Sequence, residues 1–295
     1  MPLIINADDF GLTLGVNRAI AELHAAGAIT SATLMANSAA FDDAVRIAHA
    51  NPALGVGCHI VLTDGTPVSP PETISTLLGP DRKNFRPSLA SFHLAVLGGK
   101  VSPADIAREA TAQIHRLRTA GVHVTHLDTH KHTHILPAVA RPLLAIAESM
   151  GITAIRNPFE QLWSLQISRS TLLRKLQVML MARLRPRFLS LPQIRSGTVR
   201  TTDGTLGISA TGALDATILR DTLSTLPTGL WELVCHPGYN DADLDRITTR
   251  LRNSRDIERQ ALLDTVGPNS LHPSAIELIH YGNIRPRPLN LDPEP

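Results

Sequence analysis

The chain has 295 residues and a formal net charge of +2, so it can bury the core of one large α/β domain or two small ones, and it carries no global field for nucleic acid. Two cysteines exclude a disulfide framework and fit a reducing compartment, and no uninterrupted apolar run reaches spanning length. The first apolar run is short and Met1-Pro2 supplies no basic region before it, so no signal peptide is read and a cytoplasmic location is expected.

Residues 3–7 read as a strand. Residues 16–26 read as a helix, with Val16, Ala19, Ile20 and Leu23 on one face and Gly27 ending it. A strand over 31–36, a helix over 40–50 and a strand over 55–62 follow. Residues 64–100, rich in Pro and Gly, are expected to form a long loop. Ser102-Pro103-Ala104-Asp105 predicts a helix start, with Ser as N-cap and Pro at the first helical position; that helix should run to about residue 120. Next come a strand over 122–127, a helix over 137–149 and a strand over 152–156. A less regular middle leads to a helix over 213–225, a strand over 230–235, a helix over 254–265 and an apolar run over 275–279. Pro286, Pro288, Pro293 and Pro295 mark a loose tail, 286–295, behind a domain of residues 1–285. The alternation predicts a parallel sheet wound with helices, either open or closed into a barrel.

Acids and histidines gather at equivalent places in this pattern. Asp8 and Asp9 follow the first strand and His59 lies near the end of the third. THLDTHKHTH (125–134) closes the fourth, and Cys235-His236-Pro237-Gly238 follows LWELV. All are carboxyl ends of predicted strands, the edge on which parallel α/β folds build their sites. His126, Asp128, His130, His132 and His134 share parity, so an extended backbone would turn several to one face; spacing does not choose among them. Two His and one carboxylate with an open position is the pattern of catalytic zinc. A metal also accounts for the adjacent like charges at Asp8-Asp9, since one carboxylate can coordinate while the other acts as a base on water. Taken singly, each feature has a plainer reading: a helix cap or turn at Asp8-Asp9, a satisfied buried imidazole at His59, a solvated loop at HKHTH. Their convergence is what points to a metal site. Cys58 and Cys235 each precede a candidate histidine and are read as small apolar fillers.

With NADDFG (6–11), GCHIVLTDGTP (57–67), THLDTHKHTH (125–134) and CHPGYND (235–241) in this order, the chain resembles the YdjC-like carbohydrate deacetylases from residue 3 to about 265. That family includes chitooligosaccharide deacetylases and a branch associated with hopanoid biosynthesis. The resemblance implies a single β/α-barrel-like domain, TIM-barrel-like and distorted, with long loop insertions. It implies Asp9, His59 and His130 as metal ligands, Asp8 as general base, and His236 as general acid provided its pKa stays near neutral. Arg156 is expected either to hold substrate or to form a structural salt bridge, and His132 and Tyr239 are further candidates for substrate contact. The implied reaction releases acetate from an N-acetylated amino sugar, either a chitooligosaccharide or a lipid-linked N-acetylglucosamine. Two imidazoles favour zinc, while the resemblance also admits magnesium, so the expected cofactor is a divalent metal, Mg or Zn. Rivals from other classes are a phosphoesterase with the same ligand set, for which no Gly-rich phosphate loop is found, and a non-catalytic metal- or sugar-binding protein.

Residues 161–202 contain no acid but carry Arg169, Arg174, Lys175, Arg183, Arg185, Arg187, Arg195 and Arg200, with Leu172, Leu173, Leu176, Met179 and Leu180 interleaved at helical spacing. Such a segment, 162–200, can make peripheral contact with an anionic inner membrane, pack on the barrel, or form a subunit contact in a homodimer.

Overall fold

The computed structural model describes residues 1–268 and 276–285, so the expected tail and the start of the last apolar run lie outside the described residues. The strands are β1 (Pro2–Phe10), β2 (Ser31–Leu34), β3 (Gly55–Ile60), β4 (Val124–Thr129), β5 (Gly204–Leu206), β6 (Trp231–Cys235) and β7 (Glu277–Leu278). They form one parallel sheet in the order β4-β3-β2-β1-β6-β5, with β7 added to the start of β1. Between its outer strands run single parallel bridges, Leu127 to Ile155, Ala154 to Arg200 and Glu160 to Thr205. The sheet is therefore a curled half-barrel whose remaining arc is irregular. The strand expected over 152–156 is one of these bridging segments rather than a laddered strand.

The longer helices are α1 (Leu14–Ala25), α2 (Phe41–Ala50), α3 (Leu89–Leu97), α4 (Pro103–Thr119) and α5 (Pro137–Ser149). Four more, α6 (Ser164–Ile167), α7 (Leu172–Ala182), α8 (Arg185–Leu189) and α9 (Pro192–Arg195), occupy the irregular middle. Then come α10 (Ala216–Ser224), α11 (Ala242–Asp245) and α12 (Asn253–Val266). The expected start of α4 is realised, with Ser102 Oγ accepting from the Ala104 amide at 3.2 Å. The predicted 64–100 loop instead contains α3. Its sequence, LASFHLAVL, is apolar nearly all round and has no clear period, but Ser88 caps its start and Gly98 follows its end.

Strand alternation sorts the interior. Leu3, Ile5 and Ala7 of β1 join the main apolar cluster with the helices. Ile4 packs inside with Ala154, Leu230, Tyr281 and Ile284, plugging the amino-terminal end of the half-barrel. Above that plug the interior is polar: Asn6, Asp8, His126, Asp128, Arg156 and Glu232 are all buried. A charged group in the middle of a protein survives only when paired, so this layer must be read as one network.

Candidate active site

Alternation alone would send Asp8 and Asp9 to opposite faces of the sheet. The pairing of β1 with β2 slips between Ala7 and Phe10, and Asp9 there adopts φ 64°. This bulge, in a left-handed conformation that Asp tolerates better than most residues, turns both carboxylates to the carboxyl edge. Gly11 closes the turn at φ +91°, where a Cβ would meet Leu34 Cδ1 at 3.0 Å, and its amide donates to Asn17 Oδ1 at 2.7 Å.

Asp9, His59 and His130 offer one ligand atom each, all within 4.8 Å of one another. Asp9 Oδ1 lies 3.6 Å from His59 Nε2 and 3.4 Å from His130 Nδ1. His59 Nδ1 is 2.8 Å from Asp128 Oδ1, which leaves Nε2 turned toward the cluster. A ligating imidazole is characteristically held in this way by a carboxylate on its other nitrogen. Burial opposes a charge on His59, yet Asp128, Asp8 and Asp9 together pull its pKa up to about 9. Surrounding carboxylates thus attract one positive charge to this spot, and a cation in place of that proton would satisfy the same groups. The donor set fits a divalent metal.

Asp8 is held beside this cluster. Arg156 Nη1 and Nη2 donate to its two oxygens at 2.9 and 2.7 Å, and Asn6 Nδ2 donates at 2.9 Å. Burial raises its pKa, but the Arg156 guanidinium and His59 outweigh that and keep it ionised, well below the usual carboxylate range. Arg156 also pairs with Asp128 Oδ2 at 2.7 Å and Glu232 Oε1 at 2.7 Å, and it has no exposed surface. Of the two roles expected for it, the structure shows the salt bridge. The reason is geometric: among the described residues only this guanidinium reaches Asp8, Asp128 and Glu232 together.

Of the other expected residues, His236 lies across from Asp8, Nε2 to Oδ2 3.8 Å. Burial lowers its pKa to about 4 against the pull of Asp8 and Asp9, so the imidazole rests neutral. The near-neutral pKa required of a resting acid is not met. His132 lines the same cavity, with its Nδ1 buried and unpartnered. Tyr239 does not contact the cavity. Its hydroxyl donates to Glu22 Oε2 at 2.7 Å, and the guanidiniums of Arg18 and Arg259 lie over its ring at 3.5 and 4.6 Å. Those partners occupy its hydroxyl and ring in this structure.

The shared parity of the HKHTH run also fails, because β4 ends at Thr129. Lys131 and His132 then take φ 55° and 52° in a tight turn. His130 consequently reaches the cluster, while His134 folds back to Thr129 Oγ1 at 2.6 Å and the Arg156 carbonyl at 3.1 Å. His126 stacks on Tyr281, ring centroids 3.9 Å apart. Cys58 and Cys235 are free and buried, as expected of apolar fillers.

Three participants went unread in the sequence. Arg255 of α12 donates to Asp9 Oδ2 and has its Nη1 buried without a partner in the cavity wall. Glu258, one turn on, accepts from the His236 amide at 2.6 Å, and burial pushes its pKa up to about 7. Both sit on a helix face that looks solvated in sequence. Glu232 did carry a signal, since an acid inside the apolar run LWELVC needs a buried counter-charge. The cavity over these groups measures about 640 Å³ and is walled by α3 and α7 as well as by residues 247–251.

Fold and site together define an α/β protein with a curled parallel sheet and a carboxylate–histidine cluster at its carboxyl edge. The family model for YdjC-like proteins matches residues 2–271, and the chain belongs to that family. A carbohydrate deacetylase of Brevibacillus brevis is 42% identical over 159 residues, 54% of this chain and 60% of the relative; that aligned stretch thus spans about three fifths of the relative's length. Another carbohydrate deacetylase, from Thermoanaerobacter pseudethanolicus, is 28% identical over 96% of this chain and 99% of its own. The crystal structure of a candidate cellobiose-phosphate cleavage protein from Enterococcus faecalis V583 superposes with a TM-score of 0.73 at 25% identity, covering 95% of this chain and 97% of that one.

Proposed function

We propose that residues 1–285 act as one metal-dependent N-deacetylase that removes acetyl groups from N-acetylated amino sugars. The observation that carries this reading is the ligand cluster Asp9, His59 and His130 beside an ionised, Arg-anchored Asp8 with His236 opposite, all lining one cavity. The names of relatives at 42% and 28% identity supply the substrate class. A divalent cation held by Asp9, His59 and His130 would polarise the acetyl carbonyl and acidify water, and two imidazoles favour zinc over magnesium.

The chain's own groups handle the proton. Asp8 and His236 are both unprotonated at rest, so the proton that must reach the leaving amine is the one taken from the attacking water. Asp8, fixed by Arg156 and Asn6, orients that water and accepts its proton. His236 relays it to the amine nitrogen as the C–N bond breaks. The buried, unpartnered Nη1 of Arg255 is a donor for a substrate oxygen.

The test is acetate release from N,N'-diacetylchitobiose before and after chelation and metal restoration, with Asp8→Asn as control. Metal-dependent release that the variant loses supports the reading. Stoichiometric bound metal without release from this or other N-acetyl sugars would sink it and favour a phosphoesterase or a binding protein.

A further inference from the structure

Ten large hydrophobic residues are conspicuously exposed among the described residues, and seven of them lie on two helices that wall the cavity: Leu94 and Leu97 on α3, and Leu172, Leu173, Leu176, Met179 and Leu180 on α7. On α7 the two faces are distinct. Arg174, Gln177, Val178 and Met181 line the cavity. The leucines and Met179 project the other way, 47 to 74% exposed. A surface helix normally turns one apolar stripe inward and a polar one outward. Here the outward stripe is apolar, and the flanking charges are all of one sign.

Among the described residues the ion pair of this segment is Arg169 with Asp215 at 3.9 Å, Lys175, Arg183 and Arg187 enter none, and no acid occurs anywhere from 161 to 202. We infer that the outer face of α7 docks on an anionic phospholipid bilayer, its leucines entering the headgroup boundary and these basic side chains pairing with lipid phosphates. A second copy of the chain fits less well. A two-fold contact through this face would set the same cations against one another, with no acid in the segment to pair them. An anionic surface supplies the missing charge, and a membrane interface accepts an amphipathic helix rich in Lys/Arg and Leu. The docked face would lie one helix diameter, roughly 10 Å, from the cavity. Resting on the deacetylase reading, the substrates reached there are amino sugars displayed at a lipid surface.

The experiment is flotation of the full chain with vesicles of phosphatidylcholine alone or with phosphatidylglycerol, at low and high salt. Beside it run Leu176→Glu/Leu180→Glu and Lys175→Gln/Arg183→Gln, with light scattering to give oligomeric state and diacetylchitobiose turnover as the control for fold. Expected are flotation with the anionic vesicles only, loss with salt, loss in the leucine variant, and a decrease of about fivefold for each basic residue neutralised. Turnover of the soluble sugar should not change. Absence of flotation by an active protein overturns the docking and leaves the deacetylase standing. A concentration-dependent dimer that the leucine variant abolishes assigns the face to a second copy instead. Flotation by a protein that releases no acetate keeps the docking and overturns the deacetylase.

Discussion

Replacing Arg156 by Met removes the only cation among the described residues that touches Asp8, Asp128 and Glu232 together, while keeping a similar stem. All four side chains are at most 3% exposed, so water cannot take over the pairing. Removing one partner of a buried ion pair costs about 3–5 kcal/mol, and three orphaned carboxylates place this variant at the upper end. With a urea slope of about 3 kcal/mol per molar, the unfolding midpoint should fall by more than 1 M. The cost depends on pH. In the parent, Asp8 and Asp128 are held below their ordinary pKa, because Arg156 and His59 outweigh burial. The stability this contributes is present above the unfolded carboxylate pKa near 4 and is lost as pH falls through the folded values. In the variant those groups take up protons more readily, Glu232 first, since burial already raises its pKa. The gap between parent and variant should therefore be widest at pH 7 and shrink toward pH 4. Urea titrations followed by circular dichroism at both pH values measure it. A gap under about 1 kcal/mol at pH 7, or one that does not change with pH, would refute the network as the structure draws it.

Asp9→Ala should lose the bound metal by elemental analysis, while Asp8→Asn should keep it and slow acetate release by about 10²–10⁴-fold; loss of metal in both would mean that Asp8 is itself a ligand. His236 should show a neutral imidazole by 15N NMR from pH 8 down to about 5, given its pKa of about 4; a midpoint near 6.5 would contradict the burial argument. Glu258, raised to about 7 from an ordinary value of 4.5, favours folding below that ordinary value and loses the benefit as pH rises through 7, a change of about 3 kcal/mol. The stability of the parent relative to Glu258→Gln should decline by that amount between pH 4 and 8, and equal profiles would count against it. Tyr239→Phe should leave KM for the sugar unchanged, because its hydroxyl serves Glu22; a raised KM would put that residue in the substrate's path.

The parallel α/β alternation was readable because strand and helix periods differ and Gly, Pro and Ser punctuate them: the Ser102-Pro103 helix start and the Gly27 stop needed no tertiary information. So was the convergence of Asp8, Asp9, His59, the 125–134 run and His236 on one edge, since in a parallel sheet every strand delivers its carboxyl end to the same side. Which of those side chains meet was decided elsewhere. The bulge at Asp9 and the left-handed pair Lys131-His132 break the two-residue rule on which parity rests, and Asp9 and Lys131 are tied to distant partners, Arg255 and Asp64. Likewise, nothing local distinguishes Arg255 and Glu258 from a solvated helix face, or Arg156 from a ligand-binding arginine. Their roles follow from burial, because a charge removed from water is obliged to find an opposite charge, and only the folded chain determines which one lies within reach.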